Sequence, residues 1–283
     1  MKRKLKFNKK QKVIIRIVFY TCAAIAFIHI IHMLTLDRIV EYNEISFSSP
    51  NIPTELNGYK IAFITDTHSI SESRLQSVVK WLNSCNLNLL LLGGDFTTNN
   101  IIMKKETMQK TIEELSRIKT TDGIYGVDGN HDNFIELFAE MEKHGIVPLP
   151  NSGLYIRDNY YLAGIRDFNS RAARIPVAIE GSQPEDFIIL LSHNPDISMA
   201  QDTAGIDLIL SGHTHGGQVA FFGIWAPYFT FTNHISRHGQ RFKDGWAESR
   251  DGVPVFVSRG AGEYVPRIFA RPQVIIITLE SEK

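Results

Sequence analysis

Cysteine is scarce: the 283 residues contain two, Cys22 and Cys85. That excludes a disulfide scaffold and a cysteine-built zinc site. No Gly-x-x-x-x-Gly-Lys-Ser/Thr loop is present, which weighs against a P-loop nucleotide-driven enzyme. Internal repeats and low-complexity segments are also missing. Net charge is zero, with 30 basic and 30 acidic side chains. The remaining composition, 43% hydrophobic and 21% charged, is that of an ordinary globular chain. Its length accommodates two domains or one large α/β domain.

The balanced charge conceals an asymmetry. Residues 1–36 carry eight basic side chains and no acidic one, leaving 22 basic against 30 acidic in 37–283, a net of −8. Such a surface is not shaped for long nucleic acid, and no nucleic-acid partner is expected. Residues 13–36 read VIIRIVFYTCAAIAFIHIIHMLTL. As a helix they span about 36 Å, enough for a hydrocarbon core of ~30 Å. Arg16 sits one turn inside the start and can snorkel, and His29 and His32 read as neutral interfacial histidines. Seven positive charges precede the span, and Asp37, Glu41 and Glu44 follow it. This predicts a single-pass cell-membrane protein with its N-terminus cytoplasmic and its bulk extracytoplasmic. The apolar run is too long for a signal peptide and no small-x-small site follows, so an uncleaved anchor is expected. The organisation is then a basic tail (1–12), a transmembrane signal anchor (13–36), a linker with a first strand (37–56) and one folded domain (57–283).

Residues 44–48 alternate like a short strand. Apolar runs at 61–64, 87–92, 124–127, 160–164, 187–191, 207–210, 253–258 and 274–279 alternate with helical patterns near 71–85, 104–119, 133–144 and 195–203. This order indicates an α/β domain with strands buried on both faces.

Five of the runs end in groups able to bind metal. They are followed by Asp66-Thr67-His68, Asp95, Asn130-His131-Asp132, His193-Asn194 and His213-Thr214-His215. Binding groups in α/β sheets gather at the carboxyl ends of strands. Imidazole and carboxylate without thiolate suit manganese, zinc or iron. The set exceeds what one ion needs and suits two, sharing a carboxylate at about 3.5–4 Å separation. Asp95 is the best bridge, because it follows Gly93-Gly94, where backbone can pass close to the site. Taken singly, most pieces read equally well as turns, caps or a core histidine. Two histidines in the glycine-rich turn Gly212-His213-Thr214-His215-Gly216-Gly217 rarely serve packing.

The ordered set Asp66-x-His68, Gly94-Asp95, Gly129-Asn130-His131-Asp132, His193 and Gly212-His213-x-His215 resembles the calcineurin-like metallophosphoesterase superfamily, across about residues 57–283. The turn ending in Gly217-Gln218, with an N-terminal membrane segment, resembles its membrane-associated bacterial branch. That branch includes phosphodiesterases and UDP-diacylglucosamine pyrophosphatases. The resemblance implies a four-layer αββα sandwich, two mixed β-sheets flanked by helices, as the catalytic domain. It implies one metal on Asp66, His68, Asp95 and His215 and a second on Asp95, Asn130, His193 and His213. His131 would protonate the leaving oxygen or stabilise the transition state while a water between the metals attacks in line. Thr98 stands where the family often has a second acid that orients the catalytic histidine, and Ser69-Ile70 where a glycine often follows. Neither departure removes a ligand.

The implied cofactors are two divalent ions, manganese before zinc or iron. The implied substrate is a phosphodiester or pyrophosphate, on a lipid-linked or nucleotide-sugar molecule given the anchor. A phosphomonoesterase on the same scaffold and a catalytically silent metal-binding protein are the alternatives. His234, Arg237 and Arg267 are candidate substrate contacts, each also readable as a loop residue. The aromatic stretch 219–232 reads either as core strand and loop or as an apolar wall for a lipid or base.

Overall fold

The computed structural model describes residues 8–68, 70–97, 104–232 and 235–282. Its first helix, α1 (Lys9–Leu34), opens on a reciprocal cap. The Asn8 side chain accepts from Gln11 N at 2.8 Å, and the Gln11 side chain accepts from Asn8 N at 2.9 Å. Two otherwise orphan amides are thereby satisfied. No α1 residue is buried, and the helix is long and apolar enough to cross a membrane.

The rest of the described chain supplies two six-stranded sheets. The strands are β1 (Glu41–Ser49), β2 (Lys60–Ile64), β3 (Leu89–Leu92), β4 (Ile124–Gly126), β5 (Val147–Pro148) and β6 (Ser152–Arg157). Then come β7 (Tyr160–Gly164), β8 (Phe187–Leu191), β9 (Leu208–Ser211), β10 (Gly245–Glu248), β11 (Pro254–Val257) and β12 (Gln273–Ser281). Their spatial orders are β1-β12-β2-β3-β4-β5 and β10-β11-β9-β8-β7-β6. Both sheets are mixed. β12 runs antiparallel to β2, β6 to β7 and β10 to β11, while the remaining pairs are parallel.

Side chains on a strand alternate faces, so each central strand serves two cores. Phe63 of β2 and Leu91 of β3 meet Leu162 of β7 and Leu191 of β8 between the sheets. Ile64 and Leu92 point the other way, onto α2 (Glu72–Leu82), α3 (Lys104–Leu115) and α4 (Phe134–Lys143). Tyr161 and Leu190 likewise face α5 (Ile175–Ala178) and α6 (Ile197–Ala200) outside the second sheet. Helices, sheet, sheet and helices give the expected four layers, and burial on both faces explains the unbroken apolar runs.

Some elements differ from the sequence expectation. Strands β5, β6 and β10 lie outside the apolar runs. Of the helical pattern at 195–203, only the single turn α6 forms. Gln201 leaves it in an extended conformation, its side chain bonded to Ile175 N and Ala173 O at 3.0 and 2.9 Å. β1 is longer than 44–48 and pairs in parallel with β12 along its whole length, at the sheet edge.

Candidate metal centre

Strands β2, β3, β4, β8 and β9 end on one rim between the two sheets. Asp66 and His68 follow β2, Asp95 follows β3, and Asn130 and His131 follow β4. His193 follows β8, and His213 and His215 follow β9. Asp66, His68, Asp95, His213 and His215 all have φ between 38° and 72°. That left-handed region is costly for a residue with a Cβ, least so for Asp, Asn and His. Here it turns the chain after β2, β3 and β9, so that ligands from different strands can meet. Strain of this kind concentrates at functional sites.

The side chains form two groups. Candidate ligand atoms of Asp66, His68 and His215 lie within 4.8 Å of one another, as do those of Asp95, His193 and His213. The groups touch through Asp95, whose Oδ2 is 3.2 Å from His193 Nε2 and 3.6 Å from His68 Nε2. Asp66 Oδ1 is 3.1 Å from His215 Nε2. Asn130 Oδ1 joins the second group, 3.2 Å from His193 Nε2.

Each carboxylate is held mainly through one oxygen and offers the other to the rings, although the His213 amide also reaches Asp66 Oδ1 at 3.2 Å. Asp66 Oδ2 accepts from Thr65 Oγ1 at 2.8 Å and from His213 N at 3.0 Å. Asp95 Oδ1 accepts from His131 N at 2.8 Å. Two glycines make this possible. A Cβ on Gly212 would stand 2.1 Å from Asp66 Oδ2, and one on Gly129 would stand 2.2 Å from Asp95 Oδ1.

The imidazoles are fixed from behind in the same way. His68 Nδ1 donates to Thr97 O (3.0 Å), His193 Nδ1 to Gly93 O (2.8 Å) and His213 Nε2 to Ile235 O (2.7 Å). A carbonyl can only accept, so these nitrogens hold a ring proton, and the opposite nitrogen of each ring faces into the site. His215 Nδ1 meets Gln218 Oε1 at 3.0 Å. These nitrogens then face one another, His68 Nε2 to His215 Nε2 at 3.1 Å and His193 Nε2 to His213 Nδ1 at 3.2 Å. Nitrogens so placed repel unless a positive charge, a proton or a metal ion, lies among them. Burial and neighbouring rings pull His68 and His213 down to about 4, which disfavours a proton on either. Burial also opposes charge on Asp66 and Asp95, yet the His193 ring and its neighbours outweigh it and hold both carboxyls below their usual range. On His193 burial again opposes charge, and Asp95 and Asp66 overcome it, raising the ring well above its ordinary value. The donor set fits divalent metal ions in both groups.

The sequence profile of calcineurin-like phosphoesterases matches residues 59–217, more than half of the chain and every residue of both groups. This chain belongs to that family. It is similar to a transmembrane protein with metallophosphoesterase domain from Danio rerio, 30% identical over 81% of this chain and 55% of that one. It therefore spans little more than half of that relative's length. It is also similar to a metallophosphoesterase of Campylobacter jejuni, 25% identical over 98% of this chain and 74% of that one. Another, from Aquifex aeolicus, is 25% identical over 79% and 85%.

The metallophosphoesterase site opens into a cleft of about 280 Å³, walled beyond the ligands by His131, Asn169, Thr214, Gln218, Ile235 and Tyr264. The His131 ring stands edge-on to His68, 5.2 Å between centroids. Thr97 Oγ1 donates to His131 O at 2.7 Å. Thr98 lies outside the described residues, and among those described no carboxylate bonds to the His131 ring.

One residue with a part in the site belongs to the Asn130-His131-Asp132 run, where the sequence assigns it no role of its own. Asp132 accepts from Asp95 N (2.7 Å), Phe96 N and Gly129 N (both 3.0 Å), clamping the turn after β3 to the turn after β4. Burial and the Asp95 charge push its carboxyl up to about 7, against the pull of those amides.

Of the three substrate candidates, the two that lie among the described residues, Arg237 and Arg267, do not line the cleft. His234 lies outside the described residues. Arg237 borders a separate cavity of about 410 Å³ with Arg171 and Arg174, which meets the cleft at Asn169. Arg267 is buried and donates through Nη1 to Arg259 O (2.8 Å) and Ala270 O (3.0 Å). Burial pushes its guanidinium down to about 10, with Asp66 opposing.

Proposed function

We propose that this chain is a membrane-anchored phosphoesterase with a dinuclear centre, hydrolysing a phosphodiester or pyrophosphate bond. The observation that carries the reading is Asp95 Oδ2, within 3.6 Å of a histidine from each ligand group. Asp66, His68, Asp95 and His215 would hold one ion, and Asp95, Asn130, His193 and His213 the other. Manganese is the expected metal, with zinc and iron matching the same donors. Bound there, two such ions would supply neutralisation of phosphoryl oxygens and a water acidified for in-line attack.

The chain's own groups supply the rest. His131, in the cleft beside His68, gives its proton to the leaving oxygen. Gln218 and the carbonyls of Gly93, Thr97 and Ile235 hold the ligating rings in one orientation. Asp132 keeps the Asp95 and Asn130 turns in register. No lysine or arginine is among the described residues that line the cleft. A terminal phosphate dianion calls for more positive charge than a diester monoanion, so the lining favours a diester over a monoester. α1 crosses the membrane, and the seven charges before the span direct the domain outwards. An enzyme tethered there suits a lipid-linked substrate.

The test is hydrolysis of bis-p-nitrophenyl phosphate against p-nitrophenyl phosphate by the full chain in detergent, metal-stripped and reloaded with Mn²⁺. Manganese-dependent cleavage of the diester is expected. Preference for the monoester would make the protein a phosphomonoesterase. Neither activity, with both ions bound, would leave the proposal without support.

A further inference from the structure

We infer that the aromatic stretch after the metal-binding turn is a second membrane contact, seating the domain on the bilayer beside α1 with the mouth of the metal cleft at headgroup level. The inference rests on the reading of α1 as membrane-spanning.

Residues 219–232 contain no charged side chain. Within them Ile224 is 80% exposed and Phe231 77%, and Val265, on an adjoining loop, is 71% exposed. Phe221, Trp225 and Tyr264 are also exposed. A contiguous apolar surface of this kind marks an interaction site rather than a water-facing loop.

Its position relative to α1 identifies the partner. The His29 ring stacks on Phe221 at 5.0 Å and meets Phe222 and Phe269 edge-on at 4.7 and 4.9 Å. His32 stacks on Phe269 at 3.8 Å. His32 Nδ1 is 2.7 Å from Asp37 Oδ2, and the Asp37 carboxylate accepts from Phe269 N and Ala270 N at 2.9 and 3.1 Å. The end of α1 is thus clamped to the domain. His29 lies five residues before Leu34, about 7.5 Å inside the helix end at 1.5 Å per residue. A loop touching a spanning helix at that depth sits where headgroups meet acyl chains, the zone in which Trp and Tyr are enriched.

Local hydrogen bonding fits that environment. Trp225 Nε1 donates to Thr230 Oγ1 at 2.7 Å, so the indole needs no water. His29 Nδ1 donates to Ile25 O at 2.8 Å, and its Nε2 accepts from Phe222 N at 3.4 Å, so the neutral ring is satisfied on both sides. Gln218 and Tyr264 line the metal cleft and immediately precede Val219 and Val265. Gln218 Nε2 also donates to Pro266 O at 3.0 Å, joining the two segments. The cleft wall therefore continues directly into the apolar surface, and substrates held at the membrane surface reach it first.

The test uses the full chain in phosphatidylcholine vesicles, with Trp81→Phe and Trp246→Phe leaving Trp225 as sole tryptophan. Resistance to alkaline carbonate extraction reports on α1 alone. Trp225 emission is expected to be blue-shifted and to be lost when the acyl chains are brominated near the headgroup. Adding Ile224→Asp and Phe231→Asp is expected to restore emission while carbonate resistance and metal content stay unchanged. Carbonate resistance with emission indifferent to bromination would overturn the seating and leave the anchor standing, the surface then being bare or covered by protein. Release by carbonate would overturn the anchor and the seating together.

Discussion

Gly212→Ala removes nothing from the site and adds one methyl group. Gly212 does not have the left-handed φ of its neighbours, so alanine meets no backbone penalty there. The added Cβ would lie 2.1 Å from Asp66 Oδ2, 2.4 Å from Thr65 Oγ1 and 2.6 Å from Thr65 Cγ2. Asp66 cannot simply rotate away, because Thr65 Oγ1 and His213 N hold the same oxygen. The carboxylate must retreat by about 1 Å, and a misplacement of that size costs about 10²-fold in rate. At 1.36 kcal/mol per decade this is about 2.7 kcal/mol of transition-state stabilisation. Disturbing a group this close to the ligands lowers metal affinity by about 10–100-fold as well. Metal titration by calorimetry and diester hydrolysis measure the two effects. Gly205→Ala is the control. It has φ +84° and no atom within 4 Å of the added Cβ, so it costs about 1 kcal/mol of stability and leaves metal binding intact. Wild-type metal affinity and rate in Gly212→Ala would refute the claim that Asp66 is a ligand held at fixed distance.

His131→Ala keeps the backbone N–H that holds Asp95, so it should retain both metals and lose about 10²–10⁴-fold in turnover. Metal content measured beside kcat checks this, and loss of metal would reassign the residue. Asp132→Asn replaces an acceptor of three amides with a side chain that is half donor. It should cost about 1–3 kcal/mol, read as a fall in Tm. Leu91→Ala opens a cavity between the sheets, and chemical denaturation should show a loss of about 2–5 kcal/mol. Chelation should lower Tm relative to the loaded protein, since ions bound at 100 times their Kd stabilise by about 2.7 kcal/mol.

The central strands were legible in the sequence because burial on both faces leaves no polar residue to interrupt them. β6 and β10 were not, because they edge the second sheet and alternate partly buried with exposed residues, and β5 is only two residues long. The seven candidate ligands were legible because each follows the end of an apolar run and no other chemistry explains the set. Their supports were not. The carbonyls of Gly93, Thr97 and Ile235 carry no signature in residue type, since every residue has one. Asn169, in a single 3-10 turn, and Tyr264, on a loop, reach the cleft from segments that periodicity does not place. Asp132 stood in plain view in Gly129-Asn130-His131-Asp132, but only the fold shows that its acceptors serve the turn after β3.

The central claim is that the side chains gathered around Asp95 hold two metal ions that a phosphoester then meets. The most direct measurement is metal content by mass spectrometry, alongside diester hydrolysis, for the manganese-reloaded full chain and for Asp95→Asn. Two ions per chain are predicted, with both ions and activity lost in the variant. A single ion in the native chain, or a variant that keeps two ions and its rate, would contradict the account.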